Sequence, residues 1–126
     1  MPVKLNFDQD KGLLVGLIES PLLVDDAKAS FQQMRESSEY PVDVPTLWDL
    51  RALDFNGVDR DLEDRIIALR KAVPERGNAR LAIVVADDLG FGMARMYQIL
   101  SDELPQHILV SRDYTEAENW LLEEVQ

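Results

Sequence analysis

The sequence places polar side chains at the ends of three predicted strands, where open α/β sheets favour ligand binding. They are Asp49 with Arg51, the pair Asp87-Asp88, and the tripeptide Ser111-Arg112-Asp113. Carboxylates at such an edge suit a hard cation such as Mg²⁺, whereas arginines suit an anion or an acidic group of a partner. These residue types therefore support phosphoryl chemistry with a metal ion, anion binding, or docking of a partner.

A magnesium site would need Asp49, Asp87 and Asp88 to converge on one ion. Phosphoryl proteins of the receiver kind carry their acidic pair after the first strand of a wholly parallel sheet, whereas this chain begins with a hairpin pattern. No lysine is well placed to complete such a site, and Asp87 or Asp88 is better explained as a helix cap. A magnesium-dependent phosphoryl enzyme is therefore the third hypothesis, and we expect neither a metal nor a cofactor.

Gly90 and Gly92 flank Phe91 between a predicted strand and a predicted helix, which invites comparison with the dinucleotide-binding fingerprint. Arg95 replaces the third glycine of that fingerprint, and the preceding aspartates would repel a pyrophosphate, so we reject nucleotide binding. Two interpretations stay open. The glycines let the backbone turn from strand to helix, or free amides at the helix start, together with Arg95, hold an anion or a partner carbonyl.

Complete catalytic constellations are missing from the sequence. There is no cysteine and His107 is the single histidine, which excludes disulfides, Cys-zinc sites and multi-histidine metal sites. No serine lies in a G-x-S-x-G elbow, and the carboxylates are so numerous that none stands out as an acid–base pair. We therefore expect a non-enzymatic protein.

An adaptable apolar cluster lies on the helix that follows the glycines: Phe91, Met93, Met96 and Tyr97. Such a stripe usually belongs to the core. The alternative is that part of it lines a groove for an apolar ligand or a partner helix.

The hydrophobic pattern predicts the elements that position these residues. Strands are expected at about 3–8, 13–18, 46–50, 81–86 and 108–110, and helices at about 24–37, 60–73, 90–104 and 115–122. The fourth strand is apolar on both faces, which is typical of a central parallel strand. The order predicts one α/β domain over residues 1–126, with a mixed sheet that is antiparallel at its N-terminal hairpin and parallel afterwards.

The net charge and the hydropathy of the sequence limit the classes of binding partner and the location that we expect. The 126 residues include 13 basic and 24 acidic side chains, a net charge of −11, so DNA, RNA and anionic membranes are poor partners. No apolar run approaches the ~20 residues of a membrane span, and the first residues lead into a strand pattern rather than a signal peptide, so we expect a cytoplasmic protein. An edge strand could pair with the same strand of a second copy and form a homodimer. The acidic segment 101–126 disfavours such pairing at the edge of the sheet where it lies, because like charges would meet.

The segment from Leu81 to Tyr97, LAIVVADDLGFGMARMY, and the segment from Ile108 to Leu122 resemble the SpoIIAA-like (STAS-related) domains of bacteria. In these domains a helix opening with Gly-x-x-Arg-Met-aromatic is followed by a strand, a short Arg-Asp turn and a helix ending in Trp-Leu. The N-terminal hairpin and the segment from Leu47 to Phe55 fit as well, so the resemblance spans almost the whole chain.

The resemblance implies an α/β fold with a curved mixed sheet, near the anti-sigma-factor antagonists and the CRAL-TRIO-type lipid-transfer domains. In the antagonists, a serine at the start of the helix after the third strand is phosphorylated to switch partner binding. The matching residues 54–60 contain no serine or threonine, which puts that switch in doubt. Asp59 instead places a fixed negative charge where a phosphate would lie.

Two functions therefore lead. The first is a regulatory or protein-interaction module that binds a protein partner, an anion or a ligand through a surface called here the strand-end rim: Arg51, Asp59, Asp88, Gly90, Phe91, Gly92, Arg95 and Met96. The alternative is a carrier of a lipid or small apolar ligand, which would need an enclosed cavity of about a few hundred Å³ or more.

Overall fold

The computed structural model describes residues 3–123, which fold into one mixed sheet with helices on both faces. Its elements are β1 (Val3–Asp8), β2 (Leu13–Ile18), α1 (Val24–Glu36), β3 (Thr46–Asp49), α2 (Arg60–Lys71), β4 (Arg80–Val84), α3 (Asp88–Leu100), β5 (His107–Ser111) and α4 (Tyr114–Leu122). Short 3-10 turns lie at Phe55–Gly57 and Pro74–Arg76. None of the described helices is long and apolar enough to cross a bilayer.

The strands lie in chain order, β1-β2-β3-β4-β5. β1 and β2 pair antiparallel, with Val3 opposite Ile18, and each later pair is parallel. Gly12, with a φ of 65°, closes the hairpin in a conformation that other residues rarely adopt. The predicted mixed sheet of five strands with four helices is confirmed.

Alternating side chains on the strands build two separate apolar layers. On one face, Ala117 and Leu121 of α4 pack against β2, β3 and β4 through Leu13, Leu47 and Ala82. The opposite face carries α1, α2 and α3, and it is on this side that the candidate ligand site lies.

Gly16 of β2 determines where one large side chain of that second layer lies. It is the register partner of Trp48 on β3. A Cβ atom on Gly16 would lie 2.3 Å from two carbons of the Trp48 ring, which is far inside van der Waals contact. Only glycine therefore allows the indole to lie across β2 and face the helices.

Aspartate carboxylates cap α2 and α3 through hydrogen bonds, and at α3 this confirms the cap predicted at Asp87 or Asp88. The Asp59 carboxylate accepts from the Leu62 N–H at 2.8 Å and begins α2. The Asp87 carboxylate accepts from the Gly90 N–H at 2.8 Å, so α3 begins at Asp88, two residues earlier than its glycines predict.

α1 begins at the predicted residue, and α4 begins one residue earlier than predicted. At the start of α1, the N–H of Leu23 donates to the carboxylate of Asp26. α4 begins at Tyr114, because the Asp113 carboxylate accepts from the Glu116 N–H at 3.1 Å.

Candidate functional site

Arg51 of the strand-end rim is held against β3 by a bidentate ion pair. Its Nε and NH2 atoms donate to the two oxygens of Asp49 at 2.9 and 2.8 Å, and its guanidinium lies 5.0 Å from the centre of the Tyr114 ring. The hydrogen bond from Arg51 holds the pKa of the Asp49 carboxyl below its usual value. The charge of Arg51 is therefore already compensated.

Asp88 and Phe91 meet through Arg112, the residue that follows β5. The guanidinium of Arg112 pairs with the Asp88 carboxylate and lies 5.2 Å from the centre of the Phe91 ring. Among the hydrogen bonds and ion pairs of residues 3–123, none joins Arg51 or Arg95 to this group. Two rim residues, Arg51 and Phe91, therefore belong to separate arginine–aromatic pairs.

The structure contradicts the interpretation in which the Gly90 amide is free to hold an anion. Its N–H donates to Asp87, and the residue is buried against Phe55, where an added Cβ would lie 3.0 Å from the ring. Gly90 therefore serves close packing of α3 on the turn Phe55–Gly57. Gly92 faces open space, so no contact requires glycine there.

The remaining rim residues are engaged within their own elements. Arg95 is exposed and donates to Gln98 of its own helix. Met96 is half-buried on α3, and Asp59 is engaged as the cap of α2. No side-chain hydrogen bond or ion pair among residues 3–123 joins one of the eight rim residues directly to another.

The three aspartates considered for magnesium do not form a cluster. Asp49 is paired with Arg51, Asp87 caps α3, and Asp88 is paired with Arg112. Across residues 3–123, no three carboxylate or imidazole groups lie close enough together to hold a metal ion.

A cavity of about 100 Å³ lies between the sheet and helices α1, α2 and α3. We call it the inter-layer cavity. Its apolar lining includes Ile18, Trp48 and Ile83 from the sheet, and Ala27, Leu62 and Tyr97 from the helices. The sequence suggested four α3 residues for an apolar ligand, and of these only Tyr97 lines the cavity. Phe91 and Met93 pack into the core beside the cavity, and Met96 does not border it.

Glu63 of α2 brings a carboxyl group to this apolar lining. The residue is 4% exposed, and its Oε1 atom has no hydrogen-bond partner within residues 3–123. Burial raises the pKa of Glu63 to about 7, and the neighbouring charges of Asp64 and Asp59 raise it in the same direction. Below neutral pH the group is therefore a neutral carboxylic acid.

Arg70 and Arg76 bring two guanidinium groups to the same cavity. Arg70 donates to Tyr97 Oη at 3.1 Å, Ser101 Oγ at 2.8 Å and Gln106 Oε1 at 2.9 Å. Every acceptor is neutral. Burial raises the pKa of the Tyr97 phenol, which keeps that acceptor protonated at neutral pH.

Arg76 is likewise surrounded by neutral acceptors. It donates to the carbonyls of Val42 and Val44 at 2.8 and 3.0 Å, and to Thr46 Oγ1 at 3.1 Å. Burial, together with the charge of Arg70, lowers the pKa of Arg76 to about 10. The Arg76 guanidinium is nevertheless charged at neutral pH.

The sequence interpretation missed Glu63, Arg70 and Arg76. Glu63, Ile67 and Arg70 form the buried face of α2 at helical spacing, beside the apolar stripe that predicted the helix. Glu63 and Arg70, at positions i and i+7 beside that apolar stripe, were the sequence signal for buried charged groups. Arg76 lies in a turn and gave none.

Comparison with known proteins identifies a protein of known structure with the same fold. The sequence matches none of the family models and none of the curated proteins with which it was compared. A crystal structure of an uncharacterized protein from Shewanella loihica PV-4, described as a DUF3478-family protein with a SpoIIAA-like fold, aligns with a TM-score of 0.65. The alignment covers 94% of this chain and 91% of that one, at 17% identity. This chain has a SpoIIAA-like fold. The resemblance found in the sequence is thus confirmed at the level of the fold.

Proposed function

We propose that this SpoIIAA-like protein binds a small apolar molecule that carries a polar group, and that it does so in the inter-layer cavity. The observation that carries the proposal is the unpartnered Oε1 atom of Glu63 in an apolar cavity. Buried polar atoms are almost always hydrogen-bonded, and leaving one without a partner costs about 1–3 kcal/mol. A ligand with a polar group supplies the missing partner.

The volume of the cavity limits the size of the ligand. The cavity, of about 100 Å³, is smaller than the few hundred Å³ expected for a lipid carrier. An apolar cavity of roughly 150 Å³ in an engineered protein binds benzene, so this one suits only a single small ring or a short alkyl chain. A larger lipid would require α1 or α2 to move away from the sheet. The sequence resemblance, which places this fold near CRAL-TRIO-type lipid-transfer domains, agrees with an apolar ligand.

Binding is tested by ligand-observed NMR with indole and 1-hexanol, using two matched variants. Ala27→Leu places a larger side chain in the cavity, whereas Ala117→Leu changes the packed layer under α4 on the opposite face. We expect saturable binding to the wild type and to folded Ala117→Leu, and loss of binding in Ala27→Leu. Absence of binding to the wild type, or equal binding to Ala27→Leu, would contradict the proposal.

A second candidate is the regulatory or protein-interaction role, in which a protein partner docks on the rim. The observation that favours it is Leu89, which is 46% exposed beside the Asp88–Arg112 pair. In either role we propose a non-enzymatic, cytoplasmic protein. Cross-linking in the native host tests docking: we expect loss of one cross-linked species with Leu89→Ser and its retention with Leu122→Ser, a change at an exposed leucine on α4. Identical cross-linking of both variants would remove this candidate.

A further inference from the structure

The two arginines of the inter-layer cavity are buried without a carboxylate partner. Arg70 is 5% exposed and Arg76 is 4% exposed, and no carboxylate of residues 3–123 forms an ion pair with either. Several exposed arginines do form such pairs: Arg35, Arg51, Arg60, Arg65 and Arg112. The usual arrangement, in which buried charges are paired and exposed ones are solvated, is therefore reversed.

Hydrogen bonding alone does not remove this charge. The hydroxyl, amide and backbone carbonyl groups around Arg70 and Arg76 satisfy individual N–H donors, but each is neutral. Two like charges therefore stand near each other in a region of low dielectric, where their repulsion is poorly screened. An anion placed at both guanidiniums would be attracted by both and would relieve that repulsion.

Glu63 does not supply that anion. It precedes Arg70 by seven residues on α2, a separation of roughly 10 Å along the helix axis. The absence of a hydrogen-bond partner on its Oε1 atom shows that neither guanidinium reaches that atom. The other acidic groups nearby are exposed, with Asp43 on the Arg76 side and Asp59 and Asp64 on the Glu63 side.

We propose that the ligand of the inter-layer cavity is a small apolar acid, whose anionic oxygens bind Arg70 and Arg76 while its apolar part fills the space beneath α1 and α2. This inference rests on the proposed function only in taking the inter-layer cavity as the ligand site: the polar end of the ligand lies at the two arginines and not at the Oε1 atom of Glu63. A carboxylate fits this description, because a planar guanidinium forms two parallel hydrogen bonds with a carboxylate. The apolar lining of the cavity contacts the apolar part of the ligand, and the two arginines bind its anionic group.

Hexanoate, 1-hexanol and hexylammonium test the charge, because they share one alkyl chain and differ at one end. At pH 7, ligand-observed NMR or calorimetry should give a Kd for hexanoate at least tenfold lower than for 1-hexanol, with no saturable binding of hexylammonium. Equal affinity of hexanoate and 1-hexanol, or tighter binding of 1-hexanol or hexylammonium, would overturn the acid while leaving the cavity as a ligand site. No binding of any of the three, together with none of indole, would remove the proposed function as well.

Substitution of Arg70 tests whether this residue causes the preference for hexanoate over 1-hexanol. Arg70→Met should lose the preference for hexanoate and retain binding of 1-hexanol, and Arg70→Lys should keep part of that preference through its charge. Arg80→Met is the matched control, because Arg80 donates to Trp120 O on the opposite face of the sheet and does not line the cavity. Retention of the full hexanoate preference in folded Arg70→Met would overturn the inference. If Arg70→Met does not fold, the wild-type comparison of the three ligands decides alone.

Discussion

Replacing Glu63 with glutamine isolates the buried carboxyl, because the amide keeps its shape and cannot ionise. The pKa of Glu63 is about 7 in the folded chain against a usual value of 4.5. Between these values the folded state keeps a proton that the unfolded state releases, so the contribution of Glu63 to the unfolding free energy falls as pH rises. At about 1.36 kcal/mol per pKa unit, the loss reaches up to about 3 kcal/mol and levels off above pH 7.

Urea unfolding of wild type and Glu63→Gln at pH 5, 6, 7 and 8 measures this effect as a difference. Other groups titrate equally in both proteins and cancel. We expect similar stability at pH 5, and an advantage for Glu63→Gln that grows to as much as about 3 kcal/mol at pH 8. Glu36→Gln, a change at an exposed glutamate of α1, is the control and should show no such growth. A constant difference between wild type and Glu63→Gln across the four pH values would refute the reasoning.

Three further predictions concern packing and capping, each measured by urea unfolding. Ala27→Leu should change the unfolding free energy by less than about 1 kcal/mol, because its added atoms enter the cavity. Ala117→Leu should destabilise the protein by about 1–3 kcal/mol, because the layer under α4 is packed. Equal losses for the two variants would indicate that the space beside Ala27 is already filled. Gly16→Ala should destabilise by about 1–3 kcal/mol or more and change the near-ultraviolet circular dichroism as Trp48 is displaced, and an unchanged spectrum would contradict this. Asp59→Ala should cost about 1 kcal/mol and Asp59→Ser much less, because serine can cap α2; an equal loss for both would show that the charge itself matters.

Hydrophobic periodicity was sufficient for the fold. The alternation at Val3, Leu5 and Phe7 and the continuous apolar run from Leu81 each report how many faces of a strand are buried. The element order then left little choice, because short right-handed connections between parallel strands place consecutive strands side by side. The family resemblance led to the same architecture by another route.

Helix boundaries depended on side-chain chemistry that periodicity does not report. α3 begins at Asp88 because the Asp87 carboxylate accepts the N–H of Gly90. The glycines that marked the expected start therefore lie inside the helix. The same hydrogen bond removes the amide that was proposed to bind an anion.

The candidate cavity could not be predicted from local patterns, because it is produced by three helices packing over one sheet. Its charged residues are separated in sequence: Arg76 donates to carbonyls about thirty residues earlier, and Arg70 reaches Gln106 on the segment before β5. Methionines and aromatics on α3 suggested an apolar ligand, but the space lies toward α1 and α2. The apolar ligand therefore stays a prediction, and the cavity proposed for it lies away from three of the four α3 residues that suggested it.

Contacts between a bound ligand and the cavity wall test the central claim most directly. Intermolecular nuclear Overhauser effects would be recorded between hexanoate and a protein sample labelled with ¹³C at its methyl groups. We predict cross-peaks from the alkyl chain to the methyl groups of Ala27, Leu62 and Ile83, which line the cavity on three different elements. Cross-peaks confined to exposed methyl groups such as those of Leu89, or none at saturating hexanoate, would contradict it.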